Sequence, residues 1–171
     1  MKKPKSTKKI IIVTGTPSTG KTTIAKELSL LLNIEYIDVN KLINQKKLYS
    51  GYDKARNTKI VPIQPLIREL KRIIAKSESS LMIDSHMSHF LPSSIVDLCI
   101  VVKCSLKKLK QRLEKKGYSA EKVRENLDSE IFDVCLSEAK EKMHNILIID
   151  TSKKINLSSI GIKIRKKLFL S

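Results

Sequence analysis

Residues 10–22 read Ile10-Ile11-Ile12-Val13-Thr14-Gly15-Thr16-Pro17-Ser18-Thr19-Gly20-Lys21-Thr22. The apolar run does not alternate, which predicts a buried parallel strand over Lys9 to Thr14. Beyond the turn, Ile24, Leu28, Leu31 and Leu32 recur at helical spacing and predict an amphipathic helix to about Asn33. Between them lies Gly, four residues, Gly-Lys-Thr, the pattern of a phosphate-binding P-loop, and the strand and helix supply the setting that pattern needs. Gly15 and Gly20 let the backbone fold closely around a phosphate, while successive N–H groups at the helix N-terminus present positive potential to it. Lys21 then reaches the β- and γ-phosphates, and the Thr22 hydroxyl holds Mg²⁺.

Strands of the same kind recur at Glu35 to Val39, Leu81 to Asp84, Leu98 to Val102 and Ile146 to Ile149. Helical spacing separates them: Leu66, Leu70, Ile73 and Ile74; Leu106, Leu109 and Leu113; and Ile160, Ile164 and Leu168. A long helix is expected from about Ser119 to Glu141, with Val123, Leu127, Ile131 and Val134 as its buried stripe. The alternation predicts one α/β domain, a five-stranded parallel sheet with helices on both faces. Ligands bind such sheets at the carboxyl ends of the strands, where Thr14-Gly15, Asp84 and Lys103 fall. From Asn40 to about Pro62 the apolar periodicity weakens, and Tyr49, Gly51, Tyr52, Asp53 and Arg56 mark a polar insertion suited to gripping a second substrate.

The 34 Lys and Arg outnumber the 17 Asp and Glu, a formal charge of +17. That excess favours polyanionic partners through counterion release, RNA or a ribonucleoprotein foremost; a lysine-rich proteome is the competing reading. An aromatic share of 4% with no Trp argues against a single-strand binder that works by base stacking. Cys99, Cys104 and Cys135 lack metal-type spacing and read as reduced thiols, so a reducing, cytoplasmic setting is expected. Residues 1–8 read as a flexible basic tail. The apolar run after them is too short for a signal peptide, and no stretch is long enough to span a membrane.

Asp84 ends an apolar strand as a Walker-B acid does, placed to hold Mg²⁺ directly or through water; a carboxylate capping the next segment is the alternative. His86 lies where a water attacking the γ-phosphate needs positioning, although a lone histidine is more often structural. His89 has no such position and reads as structural. Arg112-Leu113-Glu114-Lys115-Lys116-Gly117-Tyr118 gathers cations and a glycine hinge at a helix-to-loop junction. That suits a lid whose cations neutralise charge on a departing phosphoryl group; a solvated charge run is the other reading.

Several stretches together resemble one family. Gly15 to Thr23, Tyr36-Ile37-Asp38-Val39, Leu48 to Asp53, Asp84-Ser85-His86-Met87-Ser88-His89-Phe90-Leu91-Pro92, Gly117-Tyr118, Glu125-Asn126 with Glu130-Ile131, and Cys135 to Ala139 look like the archaeal and nuclear adenylate kinase family. This group is also called adenylate kinase isoenzyme six, or coilin-interacting nuclear ATPase, and the archaeal branch fits best. The resemblance runs from about Lys9 to Thr151. It implies a nucleoside-monophosphate (NMP) kinase fold, transfer of the ATP γ-phosphoryl to AMP or another NMP, and ATPase activity. It also implies a role in late small-ribosomal-subunit maturation, through transient binding of a platform ribosomal protein of the S-eleven family in the pre-ribosome, with contact to rRNA. By the same resemblance, Gly15, Ser18, Gly20, Lys21, Thr22 and Thr23 fall at ATP-binding positions. Residues 38–61 then form the NMP-binding insertion and 115–125 a short lid, with Lys116 and Arg112 as cations on the phosphates.

Three positions depart from the pattern. Ser18 stands where many members have Gly. Lys116 replaces the lid arginine before Gly-Tyr, so a point charge remains where a bidentate fork is lost. Asn44 and Lys41 stand where nuclear members carry Arg and Asp, which weakens the grip expected on AMP. Two functions therefore stand side by side: an NMP kinase, and an ATP-switched assembly factor with little NMP kinase turnover. A small-metabolite kinase of the same architecture is weaker, since no residue cluster suggests a dedicated acceptor site.

Overall fold

The computed structural model describes residues 8–170, so the expected basic tail lies outside the described residues except for Lys8. The Lys8 ammonium donates to the Ser77 carbonyl at 2.8 Å and also to the Ile74 carbonyl. In chain order the elements are β1 (Ile10–Thr14), α1 (Lys21–Leu32), β2 (Glu35–Asp38), α2 (Val39–Lys46), β3 (Gly51–Asp53), β4 (Thr58–Ile60) and α3 (Ile63–Lys76). Then follow β5 (Leu81–Asp84), β6 (Leu98–Lys103), α4 (Leu106–Lys115), α5 (Ala120–Ile131), α6 (Val134–Glu141), β7 (Ile146–Asp150) and α7 (Leu157–Phe169).

Five strands pair in parallel in the order β2-β5-β1-β6-β7, with β1 at the centre. This is the five-stranded α/β sheet that the alternation of strands and helices predicts. Successive side chains of a strand point to opposite faces, and both faces are covered. Ile11, Val13, Met82, Ile100 and Val102 pack with residues of α1 and α7, while Ile10, Ile12, Ile83, Cys99 and Val101 pack with residues of α2, α3 and α6. A third cluster, Cys104, Leu109, Leu113 and Val123, joins α4 to α5 just beyond the end of β6.

The expected long helix over 119–141 is two helices. Phe132 and Asp133 interrupt it, and Asp133 adopts the left-handed φ of 51°, which no continuous right-handed helix accommodates. The break shifts the register, so Ile131 is 54% exposed and Val134 is 36% exposed, and Asn126, Glu130, Leu136 and Ala139 face inward. Leu31, expected on the buried stripe of α1, is 42% exposed because Leu28 and Leu32 face the sheet and Leu31 sits at the edge beside Gly161 of α7. Within the polar insertion the chain forms α2 and an antiparallel hairpin, β3 with β4. Among the described residues no helix is long and apolar enough to cross a membrane.

Candidate active site

Thr14, Asp84 and Lys103 are the last residues of three adjacent parallel strands, so the segments after them gather along one edge of the sheet. The loop from Gly15 to Gly20 leaves β1 there and enters α1 at Lys21. Gly15 has φ +139°, and a Cβ on it would lie 2.3 Å from the Val102 carbonyl oxygen; only glycine fits this approach of two backbones. Gly20 also has positive φ, and Ser18 has φ 70°, the left-handed region that favours glycine. Ser18 thus has a mildly strained place in the loop.

Two side-chain clamps hold the loop. Arg112 of α4 donates through Nη1 to the Thr19 carbonyl at 3.0 Å and to Thr151 Oγ1 at 3.1 Å, and Thr151 Oγ1 donates to the same Thr19 carbonyl at 2.6 Å. From the other side, Thr16 donates its hydroxyl to Glu130 at 2.6 Å. The half-buried Lys21 reaches back to the Thr16 carbonyl at 2.9 Å. Burial pushes its ammonium down to about 8, against the opposing pull of Asp84.

Thr22 Oγ1 donates to Asp84 Oδ2 at 2.7 Å, and the Tyr36 hydroxyl donates to that same oxygen at 2.9 Å. Register explains the meeting, since Val13 of β1 and Asp38 of β2 both pair with Asp84. Burial, then the Asp84 charge, pushes the Tyr36 phenol above its ordinary range. A hydroxyl and a carboxylate side by side are hard oxygen donors, the set that suits Mg²⁺. Ser18 Oγ is buried with no hydrogen-bond partner, a polar atom left unsatisfied within the loop. Among the described residues no group of three or more His, Cys, Asp or Glu side chains could hold a metal by itself.

His86 is brought beside Lys21. The residue is exposed on one side, yet protein crowds it on its others; that desolvation, and then the Lys21 charge, pushes the imidazole down to about 4. His89, by contrast, is buried: its ring meets Thr14 Oγ1 at 2.7 Å and Glu138 Oε2 at 2.7 Å. Its pKa is lowered by burial, against the opposing Glu138 charge. Ser18, Gly20, Lys21, Thr22 and Thr23 line a cleft of about 770 Å³ together with Arg112, Lys115, Lys116 and Lys153. Of the residues expected at the site, Ser18, Gly20, Lys21, Thr22, Thr23, Arg112 and Lys116 line this cleft; Asp84 adjoins it through its bond with Thr22, and Arg112 is tied to the loop's carbonyls through Nη1.

Sequence reasoning missed Tyr36, Thr151 and Glu130. Glu130 had a signal in hand, a glutamate four residues after Asn126 on the expected apolar helix. A carboxylate on a buried register asks for a partner. Tyr36 and Thr151 carried no local signal, because strand pairing across distant parts of the chain places them.

A family model described as an AAA domain matches residues 11–133. The chain is similar to a protein of Methanocaldococcus jannaschii named "Putative adenylate kinase", 40% identical over 80% of this chain and 75% of that one. It is also similar to the "Adenylate kinase isoenzyme 6 homolog" of Caenorhabditis elegans, 31% identical over 77% of this chain and 72% of that one. Among solved structures, shikimate kinase from Acinetobacter baumannii in complex with shikimate superposes with a TM-score of 0.62 over 96% of each chain at 13% identity, a likeness of fold. The chain thus belongs to the family of the archaeal adenylate kinases and the adenylate kinase isoenzyme 6 homologues, on its archaeal side.

Proposed function

We propose that the protein is a nucleoside monophosphate kinase that moves the γ-phosphoryl of ATP to AMP or another NMP and hydrolyses ATP when no acceptor is bound. The observation that supports this is a cleft lined by Lys21 and Thr22 together with Arg112, Lys115 and Lys116, with Asp84 hydrogen-bonded to Thr22 and a neutral His86 near Lys21. In this reading the loop from Gly15 to Gly20 and Thr23 bind the triphosphate, with the orphaned Ser18 hydroxyl supplying one more donor. Lys21 spans the β- and γ-phosphates, and Lys116 with the remaining donors of Arg112 neutralises charge as the bond from the γ-phosphorus to the bridging oxygen breaks. Thr22 and Asp84 would hold Mg²⁺, which supplies positive charge to the phosphate oxygens. An acceptor phosphate oxygen forms the new bond in transfer; in hydrolysis a water does, oriented by a hydrogen bond to His86, which is unprotonated at neutral pH, while the water's proton leaves with the phosphate or to solvent.

Residues 38–61, now seen as α2 and the hairpin, serve as the acceptor insertion in this reading, and 115–125 as the lid. The family and the +17 charge support a role in small-subunit maturation, with a platform ribosomal protein as partner and rRNA nearby. Asn44 favours the second reading, an ATP-switched assembly factor with little NMP turnover, because it brings no charge to an acceptor phosphate and its amide oxygen is engaged by Lys59.

The test measures ADP formation from Mg·ATP alone and with AMP, GMP, CMP, UMP or dAMP, with Lys21→Ala as the blank. An NMP that raises output well above the ATP-only rate supports the kinase. Hydrolysis indifferent to every NMP favours the assembly factor, and the ATP-only rate is expected to fall in His86→Ala. An unaltered rate in that variant removes His86 from the chemistry.

A further inference from the structure

Glu130 stands in the last turn of α5 and is 8% exposed. A carboxylate so deep is strongly unfavourable unless its oxygens are used. Here each oxygen serves a different segment: Oε2 accepts the Thr16 hydroxyl at 2.6 Å, and Oε1 accepts the Cys104 backbone N–H at 3.0 Å. Thr16 is itself buried, and its carbonyl receives the Lys21 ammonium at 2.9 Å and the Thr19 hydroxyl at 2.8 Å. One loop residue is thus gripped from α5 by its side chain, and by its carbonyl grips the lysine that meets phosphate.

The other end of α5 follows directly on the basic turn at 116–119. Near that end Lys122 donates to the Arg56 carbonyl at 2.9 Å and Glu125 pairs with the Arg56 guanidinium. A helix of 12 residues is a rod of roughly 18 Å, so α5 touches the hairpin near one end and the phosphate loop at the other.

We infer that Glu130 is a positioning residue: it fixes Thr16, through Thr16 the shape of the phosphate loop, and makes α5 a rigid link between that loop and the basic turn ahead of it. The inference rests on the ATP-binding part of the proposed function and is indifferent to the acceptor.

The test is calorimetric Mg·ATP affinity of the full chain at neutral pH, with thermal midpoints recorded alongside. Thr16→Val keeps the shape of Thr16 without its hydroxyl. Glu130→Gln keeps the shape of Glu130 but turns an amide N–H₂ towards one of the two donors. Each is expected to weaken binding about tenfold, the scale of one hydrogen bond to a charged group. The double variant is also expected near tenfold, since both changes remove the same bond. Thr16→Ser, which keeps the hydroxyl, should bind as the parent does.

Losses that multiply to about a hundredfold in the double variant overturn the proposal, as does unchanged affinity with only a fallen midpoint. Glu130→Asp keeps the charge but is too short to reach Thr16 and Cys104 together. Unaltered affinity in that variant overturns the proposal even where the other changes fail to fold. A parent chain that binds Mg·ATP without turning it over defeats the transfer reading and leaves these affinities to decide the role of Glu130.

Discussion

The Arg56 guanidinium at the tip of the β3–β4 hairpin meets the Glu125 carboxylate of α5, Nη2 to Oε1 at 2.8 Å and Nε to Oε1 at 3.0 Å. Asp53 holds the same arginine from within the hairpin, Nη1 to Oδ2 at 3.1 Å. The arginine is therefore oriented by its own turn before it crosses to the helix. The two partners raise the arginine's pKa, Glu125 foremost, and Arg56 in turn lowers that of Asp53.

Both side chains of the Arg56–Glu125 pair are over 40% exposed, and water screens pairs of this kind. Glu125→Ala is accordingly expected to leave the thermal midpoint nearly unmoved. Hydrogen exchange should quicken at residues 54–57 and at the start of α5, and about 1 M salt should bring the parent chain to the variant's rates. Equal exchange in the two proteins at low salt would mean that the pair does not tie the hairpin to α5.

Lys21 makes the chain less stable at neutral pH than it need be. Its pKa in the fold is about 8 against an ordinary 10.5, so the unfolded chain binds the proton more tightly. The stabilising contribution is complete above about 10.5 and is lost as pH falls towards 8, so at pH 7 the whole penalty is present. Lys21→Met, which fills the space and also gives up the bond to Thr16, is expected to raise stability at pH 7 by about 2 kcal/mol, or roughly 4–8 °C. The gain should shrink as pH approaches the unfolded value, and Mg·ATP binding should be lost. Thermal unfolding as a function of pH reads this directly; a midpoint at pH 7 equal to or below the parent's would show that burial of the amine is not the penalty described.

Gly15 and Ser18 make opposite demands on the same loop. Gly15→Ala drives a Cβ to 2.3 Å from the Val102 carbonyl, where both partners are backbone, and is expected to cost roughly 3 kcal/mol or more. Ser18→Gly relieves a left-handed serine and is expected to gain up to about 1 kcal/mol. Denaturant titrations of the two variants should move in opposite directions, and a harmless Gly15→Ala would refute the close approach of the two backbones.

The sheet and the nucleotide loop were legible because their signals are local. Ile10–Val13 is apolar on both faces, and Gly-x₄-Gly-Lys-Thr must follow within a few residues, so strand, turn and helix are written consecutively. Asp84 was legible for a similar reason, as a carboxylate at the end of an apolar run. The hairpin at 51–60 was not: its strands are three residues each and its β4 side chains are all exposed, so no buried face imprints a period on the sequence. The break at Phe132–Asp133 was hidden because apolar spacing continues through it while the backbone turns left-handed at Asp133. Tyr36 entered the site through the pairing of β2 with β5, a register that no single stretch of sequence contains.

The central place of β1 also sets an order of events during synthesis. Its neighbours are β5 and β6, and β2, the next sheet strand to be made, pairs with β5 rather than with β1. Ile10–Val13, at most 3% exposed in the folded protein, therefore has no strand partner until Leu81–Asp84 has emerged. At about 5–20 residues per second the nascent chain carries that apolar segment unpaired for several seconds, and the nucleotide site cannot form in the meantime.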